Sequence, residues 1–172
     1  MSALDIILDV LLVGVALAGG VTDLLKRKIY DWVTYPAIAL GLILRFIGYG
    51  FGGVFDQGLL SAIFGALFCL LVFGIFYLWG KGFGGGDVKL MTGVGALGGF
   101  VHSLSCAMAT AIIGAVLAMI LLFVSPRGRA SMKRLFRRRQ EGEERVTVPY
   151  GIAIALGVVW AALMKYRVLP GF

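Results

Sequence analysis

Histidine occurs once in this sequence, as His102, and cysteine only twice, as Cys69 and Cys106. Both cysteines fall in apolar stretches without the spacing of a disulfide framework or a metal site, so they read as small buried side chains. No Cys/His/carboxylate cluster is present, and neither a metal nor a cofactor is expected. Charge is scarce as well: 15% of residues are charged against 60% hydrophobic, well outside the range of soluble globular domains. The opening MSALDIILDV carries two acids where a cleavable leader would carry basic residues, so the first apolar run is expected to stay in the mature chain. No internal repeat marks a transporter built from two halves. The arginines near the C-terminus lack interleaved aromatics beyond Phe136, which argues against nucleic acid as a partner.

What the sequence does have is apolar runs that approach or exceed the roughly 20 residues needed to cross about 30 Å of hydrocarbon. Six spans are expected, at about residues 3–24, 34–51, 58–79, 88–104, 105–124 and 149–165. The fold class is therefore all-α, a polytopic membrane helix bundle forming a single domain over residues 1–172. The fourth run is the shortest and richest in glycine (GVGALGGF), a composition suited to close helix packing rather than to a lone lipid-facing helix.

The one long hydrophilic segment, residues 126–148, is too short to bury a core of its own. A solvated loop that fixes orientation is the preferred reading. Met132, Leu135 and Phe136 at helical spacing beside arginines also fit a short amphipathic helix on anionic lipid. Basic residues sort by side. Lys26, Arg27 and Lys28 follow the first span, Lys81 and Lys89 bracket a glycine loop, and eight more lie between Arg127 and Arg145. Only Arg45, Lys165 and Arg167 fall on or toward the other side. The positive-inside rule makes the first side cytoplasmic and both termini extracytoplasmic.

Charged groups near hydrocarbon cost about 2.5–3.5 kcal/mol each and are retained where they pair or work. Asp5 and Asp9 belong near the outer end of the first span, Asp56 in an outer loop, and Glu141, Glu143 and Glu144 among the arginines. That leaves Asp23, Asp31 and Asp87. Asp23 closes the first span in GGVTDLLKRK, and Asp87 opens the fourth in GFGGGDVKL. The expected topology sets both at similar depth on the cytoplasmic side. Two carboxylates about 4 Å apart, at an effective dielectric near 20, repel by about 4 kcal/mol, so one holds a proton at neutral pH. An ionised base beside a protonated acid is the division of labour of an aspartic protease.

Gly84, Gly85 and Gly86 would permit positive φ angles and leave room for an extended substrate backbone to approach Asp87. The plainer reading is a tight turn with Asp87 as an N-cap. A second function class, a small transporter or channel using Asp23 and Asp87 as proton or cation ligands, fits the same intramembrane acids.

GFGGGDVKLMTGVGALGGF resembles the GxGD segment of type IV prepilin peptidases, in which GxGDxKL precedes a Gly-rich helix. TDLLKRKIYDWVTYP resembles that family's first motif, and VPYGIAIALG its Pro-Phe-Gly opening of the last helix. The resemblance covers nearly the whole membrane core. It implies a membrane aspartic endopeptidase with Asp23 and Asp87 as the catalytic pair, removing a short basic leader from prepilin-like precursors at the cytoplasmic boundary of the inner (plasma) membrane. The sequence lacks the paired CxxC motifs of larger bacterial members, to which N-methylation is commonly tied, so a peptidase without N-methylation is implied. It is similar to the small stand-alone peptidases of Tad/Flp-type pilus systems, with archaeal preflagellin peptidases a related possibility.

The family's Ile-Pro-Asn reads Ile29-Tyr30-Asp31 here, which is expected to loosen the turn between the first two helices. Tyr30-Asp31 also matches the Tyr-Asp motif of presenilin-type proteases. Asp23 is preferred over Asp31 as the partner of Asp87, because Asp23 lies within an apolar span whereas Asp31 follows three basic residues and suits capping the second helix. Asp31 is alternatively placed to contact the basic leader. Lys89 matches the family motif or snorkels to lipid phosphates, Arg45 is expected to snorkel outward, and Pro149, Tyr150 and Gly151 to set a helix start.

Overall fold

A computed structural model of the chain describes residues 2–79, 84–124 and 150–168. The basic segment at 126–148 lies outside the described residues. Among the described residues five helices build the bundle: α1 (Ala3–Lys26), α2 (Asp31–Tyr49), α3 (Leu59–Leu78), α4 (Gly85–Val124) and α5 (Tyr150–Val168). Among the described residues there is no strand. α1, α2, α3 and α4 as far as Ile120 are long and apolar enough to cross a membrane, while the apolar stretch of α5, Tyr150–Tyr166, is shorter. The protein is a multi-pass helical bundle, as its composition requires.

α1 begins with a reciprocal cap. The Ser2 hydroxyl accepts the Asp5 N–H (3.2 Å) and the Asp5 carboxylate accepts the Ser2 N–H (2.8 Å), which satisfies two donors that a helix start leaves free. It ends where Arg27 turns left-handed (φ 49°) and donates its N–H to the Asp23 carbonyl. Only residues 27–30 separate α1 from α2. Despite the missing proline this turn is compact, because Ile29 is buried against α4 at Gly86.

The boundary between the fourth and fifth expected spans needs correcting, and with it the number of helical elements. The fourth and fifth expected runs form one helical element, α4, interrupted at Gly99 (φ 73°, ψ 175°) rather than near residue 104. That φ is open to glycine and costly for other residues. The neighbours along α4 show the chain reversing there. Gly86 faces Ile29, Gly93 faces Ala37 and Leu97 reaches Arg45, so residues 85–98 run alongside α2 in the same direction. Past the break, Ser103 hydrogen-bonds Cys69, Thr110 meets Gly157, and Gly114 meets Ala153 and Tyr150. Residues 100–124 therefore return toward the end from which 85–98 departed.

The segment 85–98 is the centre of the bundle. Leu90, Met91, Val94, Ala96 and Leu97 are all essentially inaccessible. Its 14 residues rise only about 21 Å, which is why the corresponding run is short in the sequence. Lipid supplies no hydrophobic drive for helices to pair, so close contact must come from small residues. A Cβ at Gly41 would stand 2.7 Å from the Ala96 backbone, and one at Gly65 would stand 2.8 Å from the backbone of Gly99. Large apolar side chains such as Val10, Leu17, Ile43, Leu71 and Ile112 face outward, where lipid covers them.

The backbone groups freed at the break are met by side chains from other helices. Arg45, only 5% exposed, donates from Nε (3.0 Å) and Nη2 (2.9 Å) to the Leu97 carbonyl and from Nη1 (2.7 Å) to the Gln57 carbonyl. Ser61 Oγ accepts the Phe100 N–H at 3.0 Å. The expectation that Arg45 snorkels outward is thus overturned: the guanidinium turns inward because the carbonyls of Leu97, beside the break, and of Gln57 take its donors.

Candidate active site

Asp23 lies on the last turn of α1 and Asp87 on the first turn of α4, 64 positions apart in the sequence. The reversal of α4 and the short α1–α2 turn bring both to one end of the bundle. Asp87 is 6% exposed and Asp23 half-buried. Their carboxylates lie within electrostatic reach of one another, and Tyr150 at the start of α5 is within reach of Asp87.

Each carboxylate is held through Oδ2 by a glycine N–H at a helix start. Asp87 Oδ2 accepts the Gly84 N–H at 2.9 Å, reaching back over the first turn of its own helix. Asp23 Oδ2 accepts the Gly151 N–H at 2.9 Å, capping α5 from another helix. Both oxygens sit where unpaired N–H groups and the positive end of a helix dipole favour negative charge. The arrangement places two carboxylates, each fixed by a glycine N–H, within electrostatic reach of one another at one end of the bundle.

Gly151 is the residue whose role the sequence did not disclose. A Cβ there would stand 2.6 Å from Asp23 Cβ and 2.8 Å from Asp23 Oδ2, so only glycine lets α5 present its N–H to this carboxylate. Its sequence signal was the opening of an apolar run, which marks a helix start and says nothing of what that start faces.

The expectations for the glycine loop are partly overturned. Among the described residues, the glycines with positive φ are Gly50, Gly52 and Gly99, and Gly84, Gly85 and Gly86 are not among them. Gly85 and Gly86 begin α4, and a Cβ at Gly86 would stand 2.9 Å from Ile29 Cβ. The space beside Gly86 is filled by the α1–α2 turn, not left for a substrate backbone. Nor is Asp87 the N-cap: Gly84 holds that place, and Asp87 bonds back to it from the third helical position.

Asp31 does not join the pair. It is the first residue of α2, whose start has no side-chain cap, so the expected capping role is also overturned. Instead its Oδ1 takes an ion pair from Lys89 Nζ at 2.7 Å, with the side chains 57% and 37% exposed respectively. The Lys89 ammonium also stands 5.2 Å from the centroid of the Tyr35 ring. This contact ties the start of α2 to the first turn of α4, two residues past Asp87. Among the described residues no His/Cys/Asp/Glu group is arranged to hold a metal ion.

Residues 10–124 match the model of the type IV leader peptidase family, a stretch that includes Asp23, Asp31, Asp87 and Lys89 but not α5. Over 150 residues, 86% of this chain, the sequence is 30% identical to the prepilin leader peptidase/N-methyltransferase of Pseudomonas aeruginosa. It is 29% identical, over the same share, to the protein of that name from Stutzerimonas stutzeri. The alignments cover 46% of each relative, so the chain spans about half the length of the curated relatives it matches. No solved structure matches the chain.

Proposed function

The chain belongs to the type IV leader peptidase family, and from that footing we propose that it is an aspartic endopeptidase that removes the leader from type IV prepilin-like precursors, with Asp23 and Asp87 as the catalytic pair. The observation that supports this reading is the placing of two carboxylates at one end of the bundle within electrostatic reach, each fixed by a glycine N–H at a helix start. One proton is shared between them. The ionised member takes a proton from water as the water oxygen attacks the scissile carbonyl carbon, and the protonated member gives its proton to the carbonyl oxygen. Collapse of the tetrahedral intermediate breaks the C–N bond, with a proton passed to the leaving nitrogen.

The clustering of basic residues at the Asp23 end, beginning with Lys26, Arg27 and Lys28, supports placing that end at the cytoplasmic boundary of the inner membrane, with the N-terminus on the opposite side. A precursor with an apolar helix would enter laterally among the helices, its basic leader in the cytoplasm. The sequence holds two cysteines and no CxxC pair, which supports cleavage without N-methylation. The purified protein in liposomes, given a precursor with a short basic leader, a glycine and an apolar helix, is expected to release the leader and a mature product with a free amine. An intact precursor, or a methylated product when a methyl donor is added, overturns the respective half of the reading.

Two substitutions test the site's construction. Gly151→Ala pushes a methyl into Asp23, and a displacement on the scale of an ångström costs about 10²-fold in rate. The loss is expected in kcat, with KM and thermal stability little changed; wild-type turnover would show that Asp23 needs no fixing by α5. Asp31→Asn removes an exposed ion pair worth about 0–1 kcal/mol, so cleavage is expected to fall by no more than about fivefold. If Asp31→Asn abolishes cleavage while Asp23→Asn leaves it intact, the pair is Asp31 and Asp87 instead.

A further inference from the structure

At the end of the bundle away from Asp23 and Asp87, residues 100–112 of α4 and the last turns of α5 part to leave a cavity of about 700 Å³. One end of it is polar, lined by Arg45, Asp56, His102 and Lys165, and the wall beyond is apolar, with Met108, Ile112, Trp160 and Met164. These four apolar side chains are exposed, so the wall opens to the surroundings of the bundle. The order follows depth. Thr110 meets Gly157, the point at which α4 and α5 close together, so the apolar wall lies toward the bundle's middle. Lys165, ion-paired to Asp9 at 2.7 Å near the start of α1, lies toward its end. Polar at the membrane surface and apolar toward its centre is the polarity of a lipid leaflet.

The polar end has unused bonding capacity. His102 Nε2 is buried and has no hydrogen-bond partner among the described residues. Arg45 bonds only carbonyl oxygens and has no carboxylate at ion-pair distance among the described residues. Asp56 uses Oδ2 to accept the Gly53 N–H at 2.7 Å. Charge decides the class of occupant. Arg45 and Lys165 are balanced by Asp56 and by Asp9 behind Lys165, so the site suits a headgroup that carries both signs rather than a net anion. Size excludes a peptide helix: at about 10 Å across, 700 Å³ holds only about six residues of one.

We infer that this cavity is a binding site for one zwitterionic phospholipid with a primary-amine headgroup, its phosphodiester against Arg45 and His102, its ammonium against Asp56, and an acyl chain along Met108, Ile112, Trp160 and Met164. The guanidinium and the imidazole nitrogen supply donors to phosphate oxygens, and the carboxylate accepts from the ammonium. The acyl chain fills a wall that would otherwise expose a cleft too narrow for a second helix.

Native mass spectrometry of the purified protein, released from micelles supplied with equal amounts of phosphatidylethanolamine and phosphatidylglycerol, tests this. The wild type is expected to carry one phosphatidylethanolamine, favoured at least fivefold over phosphatidylglycerol. Met108→Trp, which fills the apolar wall from an exposed position, should lose at least tenfold in lipid occupancy with an unchanged unfolding temperature. Asp56→Asn should keep the lipid but lose the headgroup preference. A wild type that carries no lipid, that prefers phosphatidylglycerol, or that holds lipid equally well as Met108→Trp overturns the inference, as does an Asp56→Asn variant that still discriminates.

Discussion

Asp87→Asn and Asp23→Asn are each expected to lower precursor cleavage by about 10²–10⁴-fold, with the double variant no slower than the worse single one. The substitution is nearly isosteric, and the side-chain carbonyl of asparagine still accepts the Gly84 N–H at position 87 or the Gly151 N–H at position 23. Both helix starts therefore keep their caps, and the unfolding temperature stays where it was. What is lost is the exchange of a proton, because an amide neither takes one from water nor donates an acidic one. On the proposed reading the wild-type pair works with one proton between its two carboxylates, so the rate is expected to fall at low pH, where the base is filled, and again at high pH, where the acid is empty. The check is single-turnover cleavage of a reconstituted precursor across pH. Wild-type rates in either variant, or altered ion flux with intact processing, would move the two aspartates from hydrolysis to transport.

Arg45→Ala destabilises the bundle by about 2–6 kcal/mol, since the Leu97 and Gln57 carbonyls are each left without a donor at a cost of about 1–3 kcal/mol. Arg45→Lys recovers only part of this loss, because an ammonium cannot fork onto Leu97 while also reaching Gln57. Unfolding in detergent, followed by intrinsic fluorescence, measures it. A midpoint for Arg45→Ala equal to the wild type would mean that water reaches the break.

The class of fold was legible because six apolar runs with basic residues in alternate connections admit little besides a helix bundle in lipid. That Asp23 and Asp87 lie at one end of the bundle was legible too, since each acid closes or opens an apolar run. Other features left no such trace. Hydropathy does not register a backbone dihedral, so the break at Gly99 was expected five residues late, among equally apolar neighbours. Arg45 looked like a snorkelling residue because the carbonyl it serves is orphaned only once α4 is interrupted 52 positions away. The glycines before Asp87 suggested room for substrate, yet what occupies that room, Ile29, is a residue whose position depends on how tightly α1 turns into α2. Gly151 acts through its N–H alone, which every residue but proline has. Only the closeness of Asp23 reserves the place for glycine.

The buried segment 85–98 is gripped at both tips, by Arg45 at Leu97 and by the tie from Lys89 to Asp31 near Asp87. Between those tips Leu90, Met91, Val94, Ala96 and Leu97 are packed out of reach of solvent, which leaves the segment little freedom to bend or rotate. Eleven residues, or about 16 Å at the rise of a helix, separate Asp87 from the break. On the proposed reading, an axial shift of this segment would move Asp87 in depth and so change which bond of an embedded precursor lies opposite it.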